Sequence, residues 1–289
     1  MATWSAPGKV FLFGEHAVVY GKPGLAMAIQ PRVQVTVRKA RHPARPRSSY
    51  IQECFRETGV RGTVYIRSQL PSASGLGSSA AVTVATLCAI NEEFERGYTR
   101  EQIADLAFSI EKKVQQGRAS PMDTYVTSFG GLVLVHGSER RRLPPRNIPL
   151  VVGNSRVSHN TGKMVERVAR EREIRPGMVN PVLDAIEAVT REALDALQDP
   201  PELGRLMNIN HALLEAIGVG HPALSRLVLA SRAAGAYGAK ITGAGGGGCM
   251  IALTPKRAKG QVAGAMESCN AQAIVTTIDT EGARREAHA

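Results

Sequence analysis

Short apolar runs separated by glycine-rich turns fill the first part of the chain. Residues 3–6, 10–13, 25–29 and 33–38 have the composition of strands, and a basic, proline-containing loop separates them from another at 63–67. Residues 80–94, preceded by glycines, read as a helix. The next helix is better marked. Thr99 and Gln102 have the spacing of a capping box, and Ile103, Leu106, Ala107, Ile110 and Val114 share one face. Glu111 sits at the edge of that face, where a carboxylate can turn into a pocket or point to water. A strand at 132–136 follows Gly130-Gly131, and a second basic, proline-containing connection ends near Pro149, where the pattern places a domain boundary.

Beyond it the rhythm changes to a strand at 150–153 and then several helices. Asn180-Pro181 and His221-Pro222 each put proline at a first helical position after a plausible cap. Leu203, Leu206, Met207, Leu213, Leu214 and Ile217 recur at helical spacing up to Gly218, which is the stripe of a core helix. Strands return at 239–242 and 249–254, followed by a helix near 256–268 and a strand at 273–278. The charged stretch from Glu281 is expected to fray. The pattern is α+β, with domains at 1–149 and 150–289.

A chain of 289 residues can hold two ordinary domains, and with only 4% aromatics its core must be mostly aliphatic. No run approaches the ~20 apolar residues needed to cross a bilayer, and the first residues lack the pattern of a signal peptide. Cys54, Cys88, Cys249 and Cys269 lie far apart, without zinc-site spacing, and read as reduced thiols of a cytoplasmic protein. The formal net charge of +11 raises the question of nucleic acid. The basic clusters at 38–47, 140–146 and 167–175 are not interleaved with aromatics, so a solvated surface with a general pull on anions is favoured.

Three motifs carry chemistry. Leu70-Pro71-Ser72-Ala73-Ser74-Gly75-Leu76-Gly77-Ser78-Ser79-Ala80-Ala81 follows a strand and opens a helix. Its glycines let backbone approach a ligand, and the free N–H groups of the first helical turn suit phosphate; a tight turn with a serine cap is the alternative. It is not a Walker A loop, because no lysine precedes the serine pair. In Ala6-Pro7-Gly8-Lys9-Val10-Phe11-Leu12-Phe13-Gly14-Glu15-His16-Ala17-Val18-Val19-Tyr20-Gly21, three polar side chains, Lys9, Glu15 and His16, interrupt an apolar segment, and each needs its own partner. Lys240-Ile241-Thr242-Gly243-Ala244-Gly245-Gly246-Gly247-Gly248-Cys249 is either a flexible hairpin loop or backbone that must clear a ligand or the phosphate loop.

In this order and at these positions the three motifs resemble the GHMP superfamily of small-molecule kinases, over nearly the whole chain. Gly14-Glu15-His16-Ala17-Val18-Val19-Tyr20-Gly21 is similar to its mevalonate kinase branch, and the length to the compact archaeal members. The resemblance implies an N-terminal domain like ribosomal protein S5 domain 2, a ferredoxin-like C-terminal domain and an active site between them. It implies ATP-dependent, Mg²⁺-dependent phosphorylation of the primary alcohol of mevalonate, on the route to isoprenoids. Small molecules, mevalonate and ATP, are then the partners, with no nucleic acid or membrane, and the assembly could be a homodimer.

By motif matching Asp123, in Ala119-Ser120-Pro121-Met122-Asp123-Thr124, is the general base, and Lys9 stabilises developing charge beside it. Ser79 and Glu111 match the Mg²⁺ ligands, Ser68 and residues 71–80 the ATP contacts, and His16, Glu15 and Thr161 join Lys9 and Asp123 at the substrate. Two departures stand out: one extra residue around Gln115-Gln116-Gly117-Arg118, and Gly162 in place of the usual lysine. Other readings are a different GHMP kinase, phosphomevalonate kinase above all, or a basic RNA-binding protein with an S5-like half.

Overall fold

A computed structural model describes residues 1–71, 74–117, 119–137, 139–158 and 160–287. Strands β1 (Ala2–Phe13) and β2 (Gly24–Lys39) are each continuous where the pattern suggested two. The break expected at Pro7-Gly8 is only a shift of register, after which the β1–β2 ladder resumes. A 3-10 turn at Ala17–Tyr20 lies between them.

Helix α1 (Ser49–Thr58) occupies ground expected to be loop. Ile51, Cys54 and Thr58 point inward at helical spacing, and Gly59 ends the helix in the left-handed region. Then come β3 (Gly62–Ser68), α2 (Ser78–Glu93) and α3 (Arg100–Val114), with the Thr99–Gln102 capping box closed in both directions. Helix α4 (Pro121–Phe129) was not anticipated; Ser120 caps it, and Pro121 is preset for its first position. β4 (Leu132–His136) forms a hairpin with β5 (Glu139–Leu143), drawn from the basic connection.

The second half begins with β6 (Leu150–Asn154), α5 (Thr161–Ile174) and α6 (Pro176–Asp195). Pro181 is therefore inside α6, because Pro176 already supplies the preset first position. α7 (Pro200–Ala216), α8 (Pro222–Ala233), β7 (Gly238–Ile241), β8 (Cys249–Leu253), α9 (Lys259–Ser268), β9 (Gln272–Thr276) and β10 (Arg284–Arg285) complete the order.

The first sheet runs β10-β1-β2-β4-β5, with β3 also on β2, and the second runs β7-β8-β6-β9. Every described strand pair is antiparallel. The order of the second sheet, with α9 between β8 and β9, is that of a ferredoxin-like domain. The charged residues 281–287 do not fray. Trp4 and Ser5 pair with Arg285 and Arg284, and the buried Arg32 guanidinium forms an ion pair with Asp279. Those contacts hold the segment on β1 and β2. Among the described residues no helix is long and apolar enough to cross a membrane.

Candidate active site

Lys9 is a strand residue in the middle of β1, so its side chain shares a face with Phe11, whose ring centroid lies 4.6 Å from the ammonium. The Lys9 N–H donates to Leu76 O at 2.9 Å, which fastens β1 to the glycine-containing loop before α2. Lys9 Nζ is 3.0 Å from Asp123 Oδ1. The pairing is ionic rather than a directed hydrogen bond, and Oδ1 accepts none from any described residue. Asp123 thus keeps acceptor capacity beside a cation, with 23% of its side chain exposed. It also stands in the first turn of α4, where the helix dipole favours a carboxylate.

Glu111, from α3, is only 1% exposed. Burial first, and the Asp123 charge second, push its carboxyl up to about 7, against a hydrogen bond from Ser79 and the pull of Lys9. Four elements, β1, α2, α3 and α4, therefore bring Lys9, Ser79, Glu111 and Asp123 together. Where sequence matching suggested an extra residue, Gln116 and Gly117 take positive φ after α3 has ended at Val114.

The loop at 70–77 is anchored by Leu70 and Leu76, both buried in the core. Gly77 caps α2 at φ +72°, and a side chain there would come 2.8 Å from Lys9 Cγ. Beyond it Ser78 and Ser79 are half-buried, with the unpaired N–H groups of the first turn. Other members of the predicted nucleotide set face elsewhere. Ser74 turns inward and donates to Pro71 O at 2.8 Å, and the Ser68 hydroxyl is occupied by Leu70 O at 2.9 Å. Leu76 and Ala80 are buried, leaving backbone as their means of contact, as with Gly75. Ser72 and Ala73 lie outside the described residues.

His16 has φ 62°, and its Nε2 lies 3.0 Å from Ala244 O. A carbonyl can only accept, so Nε2 carries hydrogen. Burial, working against that bond, lowers the imidazole pKa and favours the neutral ring, which leaves Nδ1 as an acceptor. Glu15, expected at the substrate, is 2% exposed. One of its oxygens pairs with Lys240 and the other accepts from Asn210 Nδ2 at 3.1 Å, so it lies behind His16. Thr161 is the exposed first residue of α5. Its neighbourhood does adjoin the glycine loop: a side chain on Gly246 would meet Met164 Sδ at 2.6 Å.

The glycine run is explained mainly by its packing. At Gly245 a Cβ would come 2.2 Å from Val219 O, and φ is +74°. A Cβ on Gly243 would come 4.0 Å from Gly75 O, in the loop before α2. Sequence reasoning missed Tyr50, whose phenol is hydrogen-bonded to Gln115 and Ser79, with burial and the Glu111 charge raising its pKa. The only signal available was the inward spacing of α1 itself.

The GHMP kinases N terminal domain model matches residues 47–131 and the GHMP kinases C terminal model residues 185–272. The mevalonate kinase of Thermococcus sibiricus is 38% identical, over 98% of this chain and 97% of that one. That of Archaeoglobus fulgidus is 39% identical, over 86% and 91%. Among solved structures, L. major mevalonate kinase in complex with R-mevalonate is similar at a TM-score of 0.86, with 25% identity over 96% of this chain and 95% of that one. The Methanococcus jannaschii mevalonate kinase shares the fold at 0.84, with 24% identity over 96% and 98%. With the Lys9–Asp123 pair set against the open end of α2, and relatives matched along nearly the whole length, this chain belongs to the mevalonate kinase family of the GHMP kinases.

Proposed function

We propose that the chain transfers the γ-phosphoryl group of ATP to the primary C5 hydroxyl of mevalonate, giving 5-phosphomevalonate and ADP. The observation that carries this reading is Asp123 Oδ1, 3.0 Å from Lys9 Nζ and short of a hydrogen bond. Asp123 accepts the hydroxyl proton as that oxygen forms its bond to phosphorus and the bond to ADP breaks. Lys9 offsets the charge that develops on the acceptor oxygen and the phosphoryl group. The N–H groups opening α2 hold phosphate oxygens.

Glu111 and Ser79 fit a hard divalent cation. A buried carboxylate with raised proton affinity, bonded to a hydroxyl, gains from a positive partner. Among the described residues there is no cluster of three or more His, Cys, Asp and Glu that could hold a metal. Mg²⁺ takes few protein ligands and shares phosphate oxygens and water. When bound, it would neutralise charge on the phosphates.

The neutral His16 ring offers Nδ1 to a hydroxyl hydrogen, which fits the tertiary alcohol of mevalonate. His16→Ala is expected to raise the KM for mevalonate by about tenfold or more while changing that for ATP little. Equal rises in both constants would assign His16 to the scaffold. The function itself is tested by ADP release with mevalonate, phosphomevalonate, homoserine and galactose as acceptors. Mevalonate should be preferred by orders of magnitude, and preference for another acceptor would overturn the reading.

A further inference from the structure

Behind the candidate site a buried ion pair joins the two halves of the molecule. Lys240, on β7, is fully buried, and its ammonium donates both to the Glu15 carboxylate and to Ile241 O at 2.6 Å. Asn210, on α7, holds the other carboxylate oxygen through Nδ2 at 3.1 Å. Its own Oδ1 is buried without a partner among the described residues. That arrangement sacrifices one hydrogen bond to secure another on Glu15.

Stability is a poor reason for such a pair. Desolvating both charges costs several kcal/mol per ion, and apolar residues of similar volume often serve as well or better. Its geometry has a clearer use. Glu15 directly precedes His16, whose φ of 62° is uncommon for a residue with a side chain. His16 in turn bonds Ala244 O, four residues along the segment that starts at Lys240. Lys240, Glu15, His16 and Ala244 therefore form a closed circuit across the two halves. A further crossing lies within it: Thr242 Oγ1 accepts from Phe11 N at 2.8 Å and lies 3.0 Å from Phe11 O, to which it donates. A turn pinned at both ends leaves His16 one orientation.

We propose that Lys240 and Asn210 are positioning residues of the acceptor site, which hold Glu15 and through it fix His16 toward the substrate. The substrate named in the test rests on the mevalonate reading above; the circuit does not.

The test uses two variants of the full chain. Glu15→Leu combined with Lys240→Met replaces the pair by apolar groups and should still fold, with any fall in melting temperature set by the Asn210 amide left unpaired. Its KM for mevalonate should rise about tenfold or more, with that for ATP within about twofold. The Nε2–H signal of the His16 imidazole in the NMR spectrum should broaden or vanish. Asn210→Leu keeps both charges and should give a smaller rise, about threefold, with the signal shifted. It also serves if the double variant does not fold. Parent-like KM and an unchanged imidazole signal in a folded variant would overturn the proposal. If the parent prefers another acceptor, the functional reading fails, and the imidazole signal alone decides whether the circuit positions His16.

Discussion

Replacing Asp123 by Asn is expected to leave a folded protein that binds ATP normally but turns over roughly 10²–10⁴ times more slowly. The two side chains have nearly the same shape, and Asp123 is not buried deeply enough for the fold to depend on it. What disappears is the proton acceptor, together with the charge that faces Lys9 at 3.0 Å. A scaffold role would instead show as a lowered melting temperature with little loss in turnover. Single-turnover kinetics with pre-bound ATP separates the cases, and near-normal turnover would remove Asp123 from the chemistry.

Glu111→Gln should have opposite effects on stability and activity. The folded carboxyl titrates near 7, against an ordinary value of 4.5. Below about 4.5 both folded and unfolded chains hold the proton, and no difference arises. Between about 4.5 and 7 the folded state retains a proton that the unfolded chain has released, so stability falls as pH rises. Above about 7 the loss is complete, on the order of 3 kcal/mol. Glutamine carries no charge to bury. Without metal or nucleotide, the variant should match the parent at pH 4.5 and melt several degrees higher at pH 8. It should also need roughly 10–100-fold more Mg²⁺ for half-maximal activity, with a smaller change in mevalonate binding. A metal-free variant that melts below the parent at pH 8 would mean the carboxylate is stabilised by its surroundings.

Local signals in the sequence point close to this site. The capping box at Thr99 and Gln102, the strands expected at 3–6 and 10–13 on either side of Lys9 and the glycine-preceded helix expected at 80–94 all have short-range causes, and each has its counterpart, with β1 running through Lys9 and α2 starting at Ser78. What stayed hidden depends on distance along the chain or on neighbours that mask a pattern. Helix α1 has regular inward spacing, but the prolines and arginines before it give that stretch the look of a loop. β5 reads as a basic connection because its partner β4, rather than its own composition, makes it a strand. The motif led to the expectation of Glu15 at the substrate, beside His16 in sequence. Only the fold could show Lys240, 225 residues away, occupying its carboxylate. Glu111 at the edge of an apolar face could turn either way; in the fold it is buried and hydrogen-bonded to Ser79, which lies 32 positions earlier in the chain.

The pairing of Arg32 with Asp279 spans 247 positions of the chain. On the ribosome, β1 and β2 emerge early, yet the carboxylate that neutralises the guanidinium between them is translated only after the whole second sheet. Until then Arg32 must stay hydrated, and the face it will occupy must stay open. The first half of the protein is thus made first and sealed last. Contacts of such long range carry a large loop-closure cost before they contribute anything. The edge of β1 that β10 covers at Trp4 and Ser5 is left accessible to chaperones, or to mispairing, for almost the full duration of synthesis.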